Sequence, residues 1–170
     1  MACRGVYFAL NDDDEERLLA QNDDSRVVEI ITEEIEERWE AEWLCEVDKS
    51  WDAIHRCLGD GSLKTRQTSV LSKAVIGGRQ LHRGADWIIS YLSAREVRDV
   101  SDALAAIGEE EFRRRYFGLK KKFLWFDRTD YDGEIGEQDF EYSWSYLEEI
   151  KKFFATASRA GRSVIFAVDQ

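Results

Sequence analysis

The last third of the chain changes from a helical to an extended apolar period, and this change restricts the fold more than any other feature. Apolar residues recur at steps of three and four from Phe140 to Ala157, which predicts one strongly amphipathic helix. Gly161 follows where a helix ends, and the apolar run from Ser163 to Val168 predicts a strand after it. The chain therefore combines helices with a sheet.

Two more segments have the pattern of strands. Apolar residues alternate along residues 4–10, so one face of a strand there can be buried. The run WIISYL is the second strand candidate. We predict an α+β fold in which several helices pack on a small mixed β-sheet built from residues 4–10, 86–92 and 162–168. The length fits one domain over residues 1–170.

Capping and stop signals place the remaining helices. Asn11 caps a short acidic helix, and Ser93 with Glu96 matches a capping box. Gly77 and Gly78 are typical of a helix end. The predicted helices cover residues 25–43, 51–58 after a cap at Ser50, 69–76, 93–107 and 109–123. The sequence DRTDYDGEIG at residues 127–136 predicts a loop.

Composition restricts the class of protein and its compartment. The chain contains no apolar run of about 18 residues and no signal-peptide pattern, so we expect neither a membrane span nor secretion. Three cysteines without such a signal fit reduced thiols in the cytoplasm. A net charge of −11 repels the phosphates of nucleic acids and attracts basic proteins. We therefore expect no contact with membranes or nucleic acid.

The cysteines lack the spacing of a metal site. Cys45, His55 and Cys57 would have to meet with Cys3, yet structural zinc sites use close pairs such as C-x-x-C. Gly77 does not belong to a phosphate-loop pattern either. We expect no metal, no cofactor and no disulfide.

Two blocks in the middle of the chain are its most specific motifs. The first, VDKSWDAIHRCL, runs from Val47 to Leu58, and the second, LSKAVIGG, begins at Leu71. Together with the start at residues 4–10 and the apolar C-terminal run, these blocks resemble the YfbM-like proteins, a bacterial family named as a domain of unknown function. The resemblance covers nearly the whole chain and implies an α+β fold. It implies no catalytic residues, because none are established for the family.

The first block has two interpretations. On a helix, Trp51 and His55 share one face, and Asp52 neighbours both His55 and Arg56. In the structural interpretation, the tryptophan and the histidine belong to the core. In the enzymatic interpretation, Asp52 orients His55 as a general base in a cleft, with Asp48 close by.

The acidic segment is the strongest candidate for function. Residues 11–48 contain 16 acidic and 3 basic residues. This segment forms either a solvated face or a docking surface for a basic protein. Trp39, Trp43 and Tyr131 of the predicted loop are available as aromatic anchors beside these carboxylates. The predicted partner-binding residues are Glu29, Glu33, Glu36, Glu37, Glu40, Trp43, Tyr131 and Asp132.

These observations lead to one expected function and two alternatives. We expect a non-catalytic binding protein of the bacterial cytoplasm, in concrete terms an immunity protein that covers the active site of a cognate toxin. The first alternative is a small enzyme that uses Asp52 and His55 in a cleft. The second is a housekeeping interaction module. The sequence leaves the oligomeric state open.

Overall fold

The sheet contains five strands in the part of the chain that the computed structural model describes, residues 4–123 and 136–169. The strands are β1 (Gly5–Leu10), β2 (Leu44–Asp48), β3 (Arg79–Gln80), β4 (Trp87–Leu92) and β5 (Ser163–Asp169). Their order is β2-β1-β5-β4-β3, and each pairing is antiparallel. The α+β class is confirmed, but the sheet is antiparallel where we predicted a mixed one, since strand direction depends on connections that the apolar pattern does not reveal.

Six α-helices accompany the sheet in the described residues. They are α1 (Asp12–Leu19), α2 (Asp24–Glu29), α3 (Ser50–Leu58), α4 (Ala94–Ala105), α5 (Glu109–Phe123) and α6 (Glu137–Ala160). The predicted caps are confirmed: Asn11 accepts from the Asp14 amide, Ser93 and Glu96 form a capping box, and Gly161 ends α6 in the left-handed region. None of these helices combines the length and the apolar character that a membrane span requires.

The sheet separates two apolar clusters, because successive side chains of a strand point to opposite faces. Tyr7 of β1 belongs to the larger cluster, which contains the apolar faces of α3, α4, α5 and α6. Its neighbour Phe8 belongs to the smaller cluster, which contains Leu18 of α1 and the buried isoleucines that follow α2. The central strands β1 and β5 are therefore buried on both faces.

The long helix predicted over residues 25–43 is wrong in its second half. Regular α-helix ends at Glu29, and residues Ile30–Ile35 form a π-turn whose wider hydrogen bond joins the Glu36 amide to the Ile31 carbonyl. A 3-10 turn ends at Trp39, which has the left-handed φ of 42°. The chain then enters the edge strand β2, which starts directly after the predicted helix and was not predicted as a strand.

The helix predicted over residues 69–76 is also wrong, since only the 3-10 turn Leu71–Ala74 forms there. Gly77 and Gly78 do not end a helix; they allow close packing. A Cβ on Gly77 would lie 2.3 Å from the Ser72 carbonyl oxygen, and one on Gly78 would lie 2.4 Å from the Tyr91 carbonyl oxygen. The predicted cap at Ser50 is shifted by one residue, because Ser50 is the first helical residue and its hydroxyl donates to the Val47 carbonyl.

Candidate functional site

The aromatic residue of the first sequence block lies in the core. Trp51 is buried at the start of α3, and its ring lies 6.0 Å from the Phe166 ring of the central strand β5. A Cβ on Gly5 would meet both rings, so β1 can pass there only as glycine. The structural interpretation of Trp51 is confirmed.

His55 is fully buried, one helical turn after Trp51. Its Nε2 lies 3.2 Å from the Lys64 carbonyl oxygen and 3.2 Å from the side-chain nitrogen of Gln67. The Gln67 amide is oriented by its other bonds, because its oxygen accepts from the Asp60 amide and its nitrogen donates to the Ser62 carbonyl. The Gln67 nitrogen also donates to the Lys64 carbonyl at 3.1 Å, so both of its hydrogens have carbonyl acceptors. Because the Lys64 carbonyl can only accept, we assign the hydrogen of His55 to Nε2, which donates to that carbonyl, and the contact between the two side-chain nitrogens is not a hydrogen bond.

Burial also determines the protonation state of His55. Desolvation lowers its pKa from the usual 6.5 to about 4, against a small opposing effect of the Lys64 carbonyl. The Nδ1 atom is buried without a hydrogen-bond partner. A neutral ring with 0% exposure has no route to a substrate, which is unlike a general base.

The two aspartates near His55 have structural contacts. Asp52 accepts from the Arg56 guanidinium at 2.5 Å, and Arg56 also lies 3.4 Å from the Gly61 carbonyl oxygen. Asp48 has the left-handed φ of 44° and accepts a hydrogen bond of 2.8 Å from the Tyr142 hydroxyl of α6. These contacts hold the junction of β2, α3 and the segment after α3.

Both cysteines of the described residues are buried. Burial is the largest of the effects that raise the pKa of the Cys45 thiol to about 12, so the nucleophilic thiolate is disfavoured. Cys57 is also buried, and Cys3 lies outside the described residues. Within the described ranges, no group of three histidine, cysteine or acidic side chains is arranged to hold a metal ion.

The predicted partner-binding residues differ in their surroundings. Glu29, Glu33, Glu37 and Glu40 are exposed, and Glu29 forms an ion pair of 2.8 Å with Arg26. Glu36 is half-buried, and burial followed by the charge of Glu46 raises its pKa. This residue is therefore a poorer recognition group than its neighbours.

The predicted aromatic anchors are not equivalent either. Trp43 is half-buried, and the Arg162 guanidinium carbon lies 3.7 Å from its ring centre. Trp43 is therefore packed beneath the Arg162 side chain and is not an exposed anchor. Tyr131 and Asp132 lie outside the described residues, as does the predicted loop before Gly136.

The most exposed stretch of the acidic segment is residues 37–42, which we call the acidic turn. All six residues are exposed, and 52% of the Trp39 surface is accessible. The Arg38 guanidinium forms an ion pair with the buried carboxylate of Asp14, and its Nε also lies 3.8 Å from the Glu40 carboxylate. Glu37 and Glu42 have no ion pair with any described residue. The turn therefore combines three carboxylates with an accessible indole, and its one cation is shared between Glu40 and Asp14.

Comparison with known proteins identifies relatives of the whole chain. No curated protein matches it. The crystal structure of YfbM from Escherichia coli, a protein of unknown function, matches with a TM-score of 0.70 and 17% identity. The match covers 97% of this chain and 99% of that one, and at this identity it shows a common fold. A model of a domain of unknown function, DUF1877, matches residues 1–167. The resemblance noted from the sequence is confirmed, and the chain belongs to the DUF1877 family of YfbM-like proteins.

Proposed function

We propose that this protein is a non-catalytic binding protein that docks a basic protein partner through the acidic turn. One observation carries the proposal: Trp39 is 52% exposed in a turn with three glutamates, and the one cation of the turn, Arg38, is shared between Glu40 and Asp14. Exposed tryptophan is among the residues that contribute most to binding when a partner covers it. Glu37 and Glu42 form no ion pair with a described residue, and this excess of negative charge favours a partner of positive charge.

The backbone at Trp39 supports the same proposal. A bulky residue with φ of 42° is uncommon, and such a conformation costs about 1–2 kcal/mol unless glycine adopts it. Glycine at this helix end would be more stable, yet the chain carries an indole there and exposes it. Unfavourable backbone conformations of this kind are concentrated at binding sites.

The overall charge favours fast encounter with a basic partner. The chain has a net charge of −11, and the segment that contains the acidic turn is its most negative part. Such a field speeds the association of oppositely charged proteins and weakens as salt screens it. The cost to folding is small, because exposed carboxylates remain hydrated.

The concrete version of the proposal is an immunity protein of the bacterial cytoplasm. A toxin that acts on nucleic acids or nucleotides has a cleft of positive charge, and an acidic surface with an aromatic anchor is complementary to it. The enzymatic alternative requires His55 to become accessible, whereas its ring is buried and its Nε2 is bonded to Lys64. A housekeeping partner of basic character would use the same surface.

The test begins with capture of partners from the native cells by the tagged protein and their identification by mass spectrometry. Association kinetics with the purified partner are then measured for Glu37→Lys/Glu40→Lys/Glu42→Lys at low and high salt. Asp99→Lys/Asp102→Lys/Glu110→Lys is the control, because it makes the same change of net charge at other exposed positions.

We expect the first triple variant to lower the on-rate by at least about tenfold, and the control to lower it much less. Trp39→Ala should raise the dissociation rate by at least about tenfold, as the loss of an anchor does. If the on-rate is insensitive to both the acidic-turn variant and salt, the turn is only solvated surface and the proposal is wrong. Inhibition of a toxin activity by the wild type then distinguishes immunity from other partner binding.

A further inference from the structure

A second surface differs from the acidic turn in its charge. It is an open groove beside the end of α3. Its volume is about 490 Å³, within the range of small-molecule sites. Leu58 and Leu71 give it an apolar wall, and Thr68 contributes a hydroxyl. Arg66 and Arg115 reach the groove from two different parts of the chain.

The groove lies in the basic part of an acidic protein. Residues 61–85 contain five basic residues and no acidic residue, although the net charge of the chain is −11. Asp60 also lines the groove, but its carboxylate accepts from the amide and the hydroxyl of Ser62 at 2.9 and 2.7 Å. That carboxylate is therefore engaged by its own turn.

The two guanidinium groups retain hydrogen-bonding capacity toward the groove. Arg66 is exposed and forms no ion pair with a described residue. Arg115 donates from Nε to Glu111 at 2.6 Å and from one terminal nitrogen to the Cys57 carbonyl at 3.4 Å. Since guanidinium has five N–H groups, further donors of Arg115 remain without a partner among the described residues. Glu111 also pairs with Arg114, so these three residues keep one positive charge.

We propose that this groove binds a small organic phosphate. Two guanidinium groups present more N–H donors than a single carboxylate can accept, and the several oxygens of a phosphate accept them better. The apolar wall at Leu58 and Leu71, and a volume well beyond that of inorganic phosphate, fit an organic part on the ligand. Gln67 forms the back of the groove, and its bonds to Asp60 and Ser62 hold that side rigid. The proposal is independent of the acidic turn.

The test is calorimetric titration of the full chain with adenosine monophosphate, glucose 6-phosphate and phosphoserine. Three further compounds serve as comparison probes. Adenosine lacks the phosphate, inorganic phosphate lacks the organic part, and succinate carries carboxylates in place of a phosphate. Arg66→Gln removes one guanidinium from an exposed position, so the fold should persist, which circular dichroism verifies. Arg83→Gln is the control, because Arg83 is an exposed base of the same segment that does not line the groove.

We expect at least one of the three organic phosphates to bind saturably, and adenosine and succinate to bind at least about tenfold more weakly than the phosphate ester. Arg66→Gln should weaken the ester by about tenfold or more, as the loss of a charged hydrogen bond does, and Arg83→Gln by less than about twofold. Arg115→Lys keeps the charge but loses the planar fork, and should also weaken binding. Three results would overturn the proposal: no ester binds at millimolar concentration, succinate binds as well as the ester, or Arg66→Gln and Arg83→Gln weaken binding equally.

Discussion

The protonation of His55 gives a sharp test of the structure. The unfolded chain takes up a proton at His55 as the pH falls through 6.5, whereas in the folded protein the pKa of His55 is about 4. The folded state therefore binds fewer protons, and the stability from this group is full above pH 6.5 and lost as the pH falls toward 4. At 1.36 kcal/mol per unit, the loss reaches about 2 kcal/mol near pH 5 and about 3 kcal/mol below the folded pKa.

The variant His55→Gln isolates this effect. A glutamine places its amide nitrogen near the Nε2 position of histidine, so it can still donate to the Lys64 carbonyl without titrating. Urea unfolding of both proteins is measured at about pH 7.5 and about pH 5. The contribution of the carboxylates is the same in both proteins, so it cancels in the difference between their free energies of unfolding. We expect the stability advantage of the wild type to shrink by about 2 kcal/mol at the lower pH. Parallel pH profiles for the two proteins would refute the buried, neutral state of His55.

Two further substitutions test the packing and the backbone. Trp51→Ala should lower the free energy of unfolding by about 3–5 kcal/mol, because Trp51 is 5% exposed and packs on Phe166; a loss below about 1 kcal/mol in urea unfolding would contradict its place in the core. Trp39→Gly should be more stable than Trp39→Ala by about 0.5–1 kcal/mol, because relief of the left-handed conformation exceeds the entropy cost of glycine. Thermal unfolding of the two variants measures this difference in stability. If Trp39→Ala is the more stable variant, as is usual in helix interiors, the result contradicts the left-handed conformation of Trp39.

The elements that the sequence predicted well are those in which local signals agree with burial. The strand β4 begins and ends where the run WIISYL does, and the capping box at Ser93 has both of its hydrogen bonds. In α6, Phe140, Leu147 and Phe154 are buried at the predicted steps. In such segments the apolar period, the caps and the core contacts specify the same structure, so the sequence pattern alone was sufficient to predict the element.

The errors lie where tertiary contacts override the local pattern. Steps of three and four from Val28 to Trp43 fit a continuous helix, but the buried Ile30, Ile31 and Ile35 are accommodated by a π-turn. No glycine or proline announces the helix end, because Trp39 adopts the left-handed conformation itself. The edge strand β3 has two residues and depends on the close approach of Gly78 to Tyr91, which no period can reveal.

The acidic turn exists because the chain departs from the predicted helix at Trp39. A regular helix through residue 43 would have placed the glutamates at helical steps and Trp39 on the buried stripe with Trp43. The left-handed turn at Trp39 instead separates the two tryptophans: Trp43 packs under Arg162, while Trp39 stays 52% exposed. Arg38 is shared between Asp14 and Glu40, so the turn keeps an excess of negative charge. One unfavourable backbone angle thus places the exposed indole within the excess of negative charge on which partner docking is proposed to depend.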